Sequence, residues 1–214
     1  MECPLCGDSR TRVFLGASED SLEGRSYFEC ALCRLVFLSP DLRLSGEEEK
    51  KRYDLHCNSP EDEGYLRFLS RLTEPLTRIL PPGSEGLDYG CGPGPALSVL
   101  LSRSGFKTAD YDPYYYPDQT LLQKKYDFIT CTETAEHFYF PGREFARLAG
   151  LLRSGGCLAV MTEFLRADRS FLHWPYRRDP SHVCFYAQDT FHFIARRHGW
   201  KPCFPAPNVV FFAV

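Results

Sequence analysis

Hydrophobic positions change their period along the chain, and the changes divide it into three stretches. Over residues 60–80, Tyr65, Phe68, Leu69, Leu72, Leu76 and Leu80 recur at helical spacing. This predicts one long amphipathic helix whose apolar stripe packs on the rest of the molecule. After Pro81-Pro82-Gly83, which reads as a boundary, short apolar runs alternate with helical patterns. Residues 86–89, 107–112, 126–132 and 157–162 are predicted strands, and residues 143–152 and 189–198 predicted helices. Ser154-Gly155-Gly156 is expected to close the first of these helices, and residues 200–204 and 208–214 to form a final hairpin with the last strand antiparallel. Such alternation predicts an α/β fold with a mainly parallel sheet covered by helices on both faces. Ahead of residue 60 the runs are shorter: residues 11–15, 26–29 and 35–38 read as small strands. Ser45, Glu47-Glu48-Glu49 and Lys50-Lys51-Arg52 mark a helix start whose charges follow the helix dipole and lie on a solvated face. The expected organisation is a ribbon over 1–40, a helical cap over 41–82 and an α/β domain over 83–214.

The connection after the first α/β strand, Asp88-Tyr89-Gly90-Cys91-Gly92-Pro93-Gly94-Pro95, carries three alternating glycines. Glycines there permit positive φ and remove Cβ atoms, so backbone amides can approach a ligand closely. Pro95 suits the first turn of the helix that follows, where a missing N–H costs nothing. A dinucleotide fingerprint, G-x-G-x-x-G, requires glycine where Pro95 stands, so that pattern fails. Asp112 ends the next strand about 20 residues on, where an acid binding ribose hydroxyls falls; Asp110 is the alternative if the strand ends earlier.

This constellation resembles the first motif of class I S-adenosylmethionine-dependent methyltransferases. The resemblance implies that the glycine turn cradles the methionine end of the cofactor, with Asp88, Tyr89, Gly90, Cys91, Gly92 and Gly94 at that end and Asp112 on the ribose. Residues 126–137 resemble the fourth-strand motif of the same family, which places Thr132 and Glu133 beside the cofactor. Residues 143–162 resemble its helix, glycine turn and fifth strand. One departure stands out. The interval from Asp112 to Tyr126 is too short for a helix, a third strand and a connection, so the Rossmann-like sheet is expected to have a reduced third-strand region. The family's adenine-binding acid therefore has no counterpart to carry over. Tyr114-Tyr115-Tyr116 either stacks on adenine or substrate or packs.

Ligands of such sheets bind beyond the carboxyl ends of the strands. That rule gathers the glycine turn, Asp112, residues 132–137 and Thr162-Glu163 on one rim. His137 is a candidate base there, since imidazole titrates near neutrality, with Glu133 and Glu136 orienting it; a structural or cofactor-positioning role is the other reading. His182 is the second candidate. It lies in the run from Trp174 to Tyr186, which resembles a W-x-Y-x-x-D-x-x-H-V-x-F-Y segment of a bacterial methyltransferase subgroup, and an Asp179–His182 pair is expected to act catalytically or to brace the loop.

Ten cysteines then alter the reading of the first stretch. Cys3-Pro4-Leu5-Cys6 opens the chain with one C-x-x-C knuckle, and Cys30-Ala31-Leu32-Cys33 follows the first two predicted strands with another. Doubled knuckles with short strands between them point to a tetrahedral four-thiolate zinc site, closed and therefore structural. Zinc-bearing sugar C-methyltransferases resemble this arrangement, with a cysteine ribbon before a methyltransferase domain.

Charge narrows the partners. The chain carries a net −3, and up to Leu80 its acidic residues outnumber its basic ones. A ribbon gripping nucleic acid needs a basic surface. No run approaches a membrane span and no charged-then-apolar leader opens the sequence, so a cytoplasmic protein without membrane contact is expected. The resemblance implies an S-adenosylmethionine-dependent methyltransferase of a small molecule or carrier-linked metabolite, with structural zinc. Two alternatives stay open: a nucleic-acid methyltransferase using Arg166, Arg169, Arg177, Arg178, Arg196 and Arg197, and a docking ribbon attached to a relic cofactor domain.

Overall fold

The computed structural model describes residues 1–18, 24–55, 59–166 and 171–214. In chain order its elements are β1 (Thr11–Leu15), β2 (Tyr27–Cys30), β3 (Val36–Leu38), α1 (Gly46–Tyr53), α2 (Glu63–Ile79), β4 (Glu85–Tyr89), α3 (Ala96–Arg103) and β5 (Lys107–Tyr111). They continue as β6 (Tyr126–Thr132), α4 (Pro141–Leu151), β7 (Leu152–Met161), β8 (Cys184–Phe185), α5 (Gln188–His198), β9 (Lys201–Ala206) and β10 (Val209–Ala213).

Six strands form the main sheet in the order β5-β4-β6-β7-β10-β9. The β4–β5, β4–β6 and β6–β7 pairs are parallel, and β10 runs antiparallel to both β7 and β9. This is the expected Rossmann-like sheet with an antiparallel last strand. Between β5 and β6 the only regular piece among the described residues is a 3₁₀ turn, Gln119–Gln123. The sheet consequently ends at β5, as the short spacing requires.

Both faces of the sheet are covered because alternate residues of one strand serve different layers. Phe128 of β6 joins Leu69, Leu72 and Leu76 of α2 and Leu97 and Leu101 of α3. Its neighbour Ile129 joins Phe145 and Leu148 of α4 and Phe191 and Ile194 of α5. The apolar stripe of α2 is thus the surface by which it packs on the domain. Helix α4 ends differently from the expectation: Leu152 is already extended and opens β7, so Gly155 and Gly156 lie inside the irregular start of that strand rather than capping the helix.

The cysteine-bearing strands form a second sheet in the order β1-β2-β3-β8. Its last strand comes from far along the chain, with Val36 opposite Phe185 and Phe37 opposite Cys184. One hydrophobic cluster runs from Cys3 and Tyr27 through Phe185 to Phe212. The ribbon therefore shares its core with the α/β part, which a piece of its size needs for stability.

Helix α1 starts as its sequence implies. Ser45 Oγ accepts from the Glu48 amide while Glu48 Oε2 accepts from the Ser45 amide, a capping box. Its charges are not all solvated, however. Glu49 is buried, accepting from the Tyr53 and Tyr114 hydroxyls, and Arg52 pairs with Asp179 at 3.0 Å. Positions 49, 52 and 53 share one helical face, and that face looks into the molecule.

Candidate active site

A cavity of about 940 Å³ opens beyond the carboxyl ends of β4, β5 and β6. Tyr89, Gly90, Cys91, Gly92, Asp112, Thr132, Glu133, Glu136, His137 and His182 all line it, together with Glu49 and Tyr53 of α1, Tyr65 and Phe68 of α2, and Tyr176. The fold thus brings together most of the site residues expected from sequence. Asp88 and Gly94 are absent from the lining. Asp88 lies beneath the turn, where its Oδ1 accepts from Thr130 at 2.8 Å and burial pushes its carboxyl up to about 7.

At the glycine turn, Gly90 and Gly92 hold φ of 83° and 67°, a region that side chains other than glycine's rarely adopt. A methyl group built on Gly90 would overlap Thr134, whose Oγ1 donates to the Gly90 carbonyl at 3.1 Å. The turn is locked to the rim of β6 by that contact. Asp112 holds its other side: Oδ2 accepts from the Gly92 amide at 3.1 Å, and Oδ1 from the Tyr114 and Tyr115 amides at 2.8 and 3.2 Å. A carboxylate oxygen has about two acceptor positions, so Oδ2 retains one beside the cavity. Asp110 instead accepts from Ser98 of α3 and does not line the cavity.

Tyr114 and Tyr115 donate to Glu49 and Asp54 and so fasten α1 over the mouth. Their hydroxyls are committed to packing, and their rings still line the cavity.

The opposite wall is polar and buried. Glu133 sits at φ 47° immediately after β6, a strained position that the fold supports by an amide bond to the Met161 carbonyl at 2.8 Å. Its Oε1 is buried without a hydrogen bond, and burial raises its carboxyl well above the usual range. Thr132 Oγ1 is similarly buried and unsatisfied. Glu136 is fully buried; its Oε2 accepts from Thr162 at 2.9 Å, and Thr162 in turn bonds the Tyr176 hydroxyl at 2.9 Å. Neither Thr162 nor Tyr176 was singled out by sequence reasoning as a partner of Glu136, because the three are brought together only by packing.

His137 Nδ1 donates to the Ser181 carbonyl at 3.0 Å, and His182 Nδ1 donates to the Tyr176 carbonyl at 2.6 Å. The rings meet edge to face at 4.8 Å. Burial lowers His182 to about 4, so it is neutral at physiological pH. Asp179 does not bond the His182 ring. It accepts from Ser181 and from Arg52, and those bonds outweigh burial and hold its carboxyl well below the usual range. The expected Asp179–His182 pair is replaced by a clamp between the loop and α1.

The four cysteines of the knuckles also converge. Cys3 and Cys33 sulfurs lie 3.5 Å apart, those of Cys6 and Cys30 lie 3.6 Å apart, and all four fall within 4.8 Å of one another. A tetrahedron with Zn–S bonds of about 2.3 Å has edges of about 3.8 Å, so the residues fit zinc. The two knuckles are built alike: Gly7 donates to the Cys3 carbonyl and Arg34 to the Cys30 carbonyl, at 2.9 and 3.0 Å, with Gly7 and Arg34 both at positive φ. The first knuckle is wedged against α4 and α5, where the Gly142 amide donates to Pro4 and Arg197 to Leu5.

The sheet order and the rim cavity define a Rossmann-like fold of the methyltransferase kind. The family model described as a methyltransferase domain matches residues 62–202, and the chain belongs to that family. Among solved structures it is similar to an O-methyltransferase family protein from Burkholderia thailandensis, with TM-score 0.51 and 13% identity over 77% of this chain and 61% of that one. It is also similar to CalO1, a methyltransferase in calicheamicin biosynthesis in its SAH-bound form, with TM-score 0.49 and 10% identity over 70% and 54% of the two chains. A third is a Galdieria sulphuraria protein described as a putative sarcosine dimethylglycine methyltransferase, with TM-score 0.49 and 15% identity over 74% of each chain. The chain thus spans 54% of the length of CalO1 and 61% of that of the Burkholderia protein. No curated protein sequence matches it. Among the described residues, no helix is long and apolar enough to cross a membrane.

Proposed function

We propose that the protein transfers a methyl group from S-adenosylmethionine to a small or carrier-linked acceptor, with a structural zinc ion in its four-cysteine ribbon. The observation that carries this reading is the joint placement of the glycine turn and Asp112 on one cavity, tied by the Gly92–Asp112 bond at 3.1 Å. The residues present fit the cofactor. Gly90 and Gly92 leave room for it, one acceptor position of Asp112 suits a ribose hydroxyl, and the buried Thr132 Oγ1 and Glu133 Oε1 want polar partners.

S-adenosylmethionine supplies, when bound, a methyl group made electrophilic by its sulfonium. What this chain contributes is chiefly positioning, which carries much of the rate of such displacements. Tyr53, Tyr65, Phe68 and Tyr176 supply aromatic walls to the cavity. Glu136, His137 and His182 present a carboxylate and two imidazoles to the acceptor's nucleophile. Of the arginines that a nucleic acid would need, Arg177 is fully buried and donates to the Phe171 and Leu172 carbonyls, which favours the small-acceptor reading; Arg166, Arg178, Arg196 and Arg197 are exposed, and Arg169 lies outside the described residues. The free thiols fit a reducing compartment such as the cytoplasm.

Thermal unfolding with S-adenosylmethionine and, in parallel, NAD tests the reading. A ligand at 100 times its dissociation constant adds about 2.7 kcal/mol, a rise of about 5–10 °C for a chain of this size. No shift with S-adenosylmethionine, or a larger shift with NAD, would overturn it.

A further inference from the structure

We infer that Glu136, His137 and His182 form a second metal site, separate from the cysteine ribbon, that takes a divalent cation of borderline hardness such as Mn²⁺, Fe²⁺ or Zn²⁺. One ligand atom from each of the three residues lies within 4.8 Å of the others. Two imidazoles and one carboxylate are the donor set that transition cations prefer over Mg²⁺ or Ca²⁺.

Three independent features of the cluster point to a ligand. The first is the orientation of both rings. A metal-bound histidine characteristically donates its other ring N–H to a backbone carbonyl or carboxylate, which fixes the tautomer. Here both Nδ1 atoms meet backbone carbonyls, of Ser181 and Tyr176, and the tautomer this selects carries its lone pair on Nε2 in each ring. The second is Glu136. Its side chain is fully buried, Thr162 holds Oε2, and Oε1 has no hydrogen bond. Oε1 lies 4.0 Å from His137 Nε2, a separation that a shared cation closes with small side-chain movements. A buried carboxylate oxygen left without a donor is costly, and a cation removes that cost. The third is position: all three residues line the cavity, and the buried Oε1 of Glu133 lines it with them.

Three protein ligands leave coordination positions open, as in catalytic rather than structural sites. They face the cavity, so the cation is placed to bind a hydroxyl oxygen of the acceptor and favour its deprotonated form, the proton leaving to solvent through the cavity mouth; that oxygen then takes the methyl group as the C–S bond breaks and S-adenosylhomocysteine leaves. The acceptor class this selects is a hydroxyl compound, above all one with a second oxygen close enough to chelate. The acceptor assignment rests on the methyl-transfer reading; the cation site does not.

The test is titration of the zinc-replete, citrate-dialysed protein with MnCl₂, followed by the loss of the free-ion electron paramagnetic resonance signal. One Mn²⁺ per chain is expected, bound at least about tenfold more weakly by Glu136→Gln and by His182→Asn. Paramagnetic broadening of the His137 and His182 imidazole signals in the unaltered protein provides a readout that needs no variant. S-adenosylmethionine binding is titrated separately on the same preparation, so failure of one site is distinguished from failure of the other. No Mn²⁺ uptake, uptake unchanged in both folded variants, or uptake that leaves both imidazole signals sharp would overturn the inference.

Discussion

Asp88 offers a sharp test of how the floor beneath the glycine turn is built. Its carboxyl is wholly enclosed, accepts from Thr130, and lies in the field of Asp110 and Asp112; burial is the largest cause that raises it from 3.8 to about 7. A group raised on folding contributes stability that is fully present below its unfolded pKa and is lost as pH climbs through the folded value. The shift corresponds to about 4 kcal/mol in all, of which about 2 kcal/mol falls between about pH 5.5 and about pH 8.5. Asp88→Asn keeps an oxygen that accepts from Thr130 and removes the titration. Denaturant unfolding followed by the fluorescence of Trp174 and Trp200, both buried, measures the effect. The variant is expected to gain on the wild type as pH rises, by about 2 kcal/mol across the window. Parallel stability–pH curves for the two proteins would refute the argument.

Packing and metal chemistry set further expectations. A methyl group on Gly86 overlaps the Phe128 ring in the middle of the sheet, so Gly86→Ala should cost about 1–3 kcal/mol in denaturant titration; a neutral change would show that the β4–β6 approach is looser than described. Elemental analysis should find zinc bound by the cysteine ribbon, and Cys30→Ser should release it and lower the melting temperature. Because β3 pairs with β8, next to His182, that variant should also weaken protection of the residue 182–186 amides in hydrogen exchange, whereas unchanged protection would uncouple ribbon from cavity. Arg52→Met leaves the half-buried Asp179 without its cation partner and should shift the Asp179 titration upward in carboxyl NMR.

Much of this architecture was legible in the residues because local pattern and tertiary role agree. Residues 126–132 read as a buried strand and form β6, since a central parallel strand is apolar on both faces. The glycine turn and Asp112 were legible because their spacing reflects the geometry of a βα unit, and the missing strand was legible from the short interval between Asp112 and Tyr126. The inward face of α1 was not. Glu47 to Arg52 look like a solvated charge run, and only tertiary packing gives Glu49 two tyrosine donors and Arg52 an aspartate. The 49, 52, 53 spacing was the one available signal. Likewise β8 is two residues long, too short for any period, yet it joins the ribbon to the loop that carries His182. Thr162 and Tyr176, which fix Glu136, lie far from it along the chain, and no local pattern links them.

The central claim is that the turn from Gly90 to Gly92 and Asp112 hold S-adenosylmethionine in the rim cavity. Calorimetric titration of the cofactor into the zinc-replete protein tests it most directly. A single saturable site per chain is expected, displaced by S-adenosylhomocysteine and weakened by Asp112→Ala. An absence of binding, or binding that Asp112→Ala leaves intact in a folded protein, would contradict it.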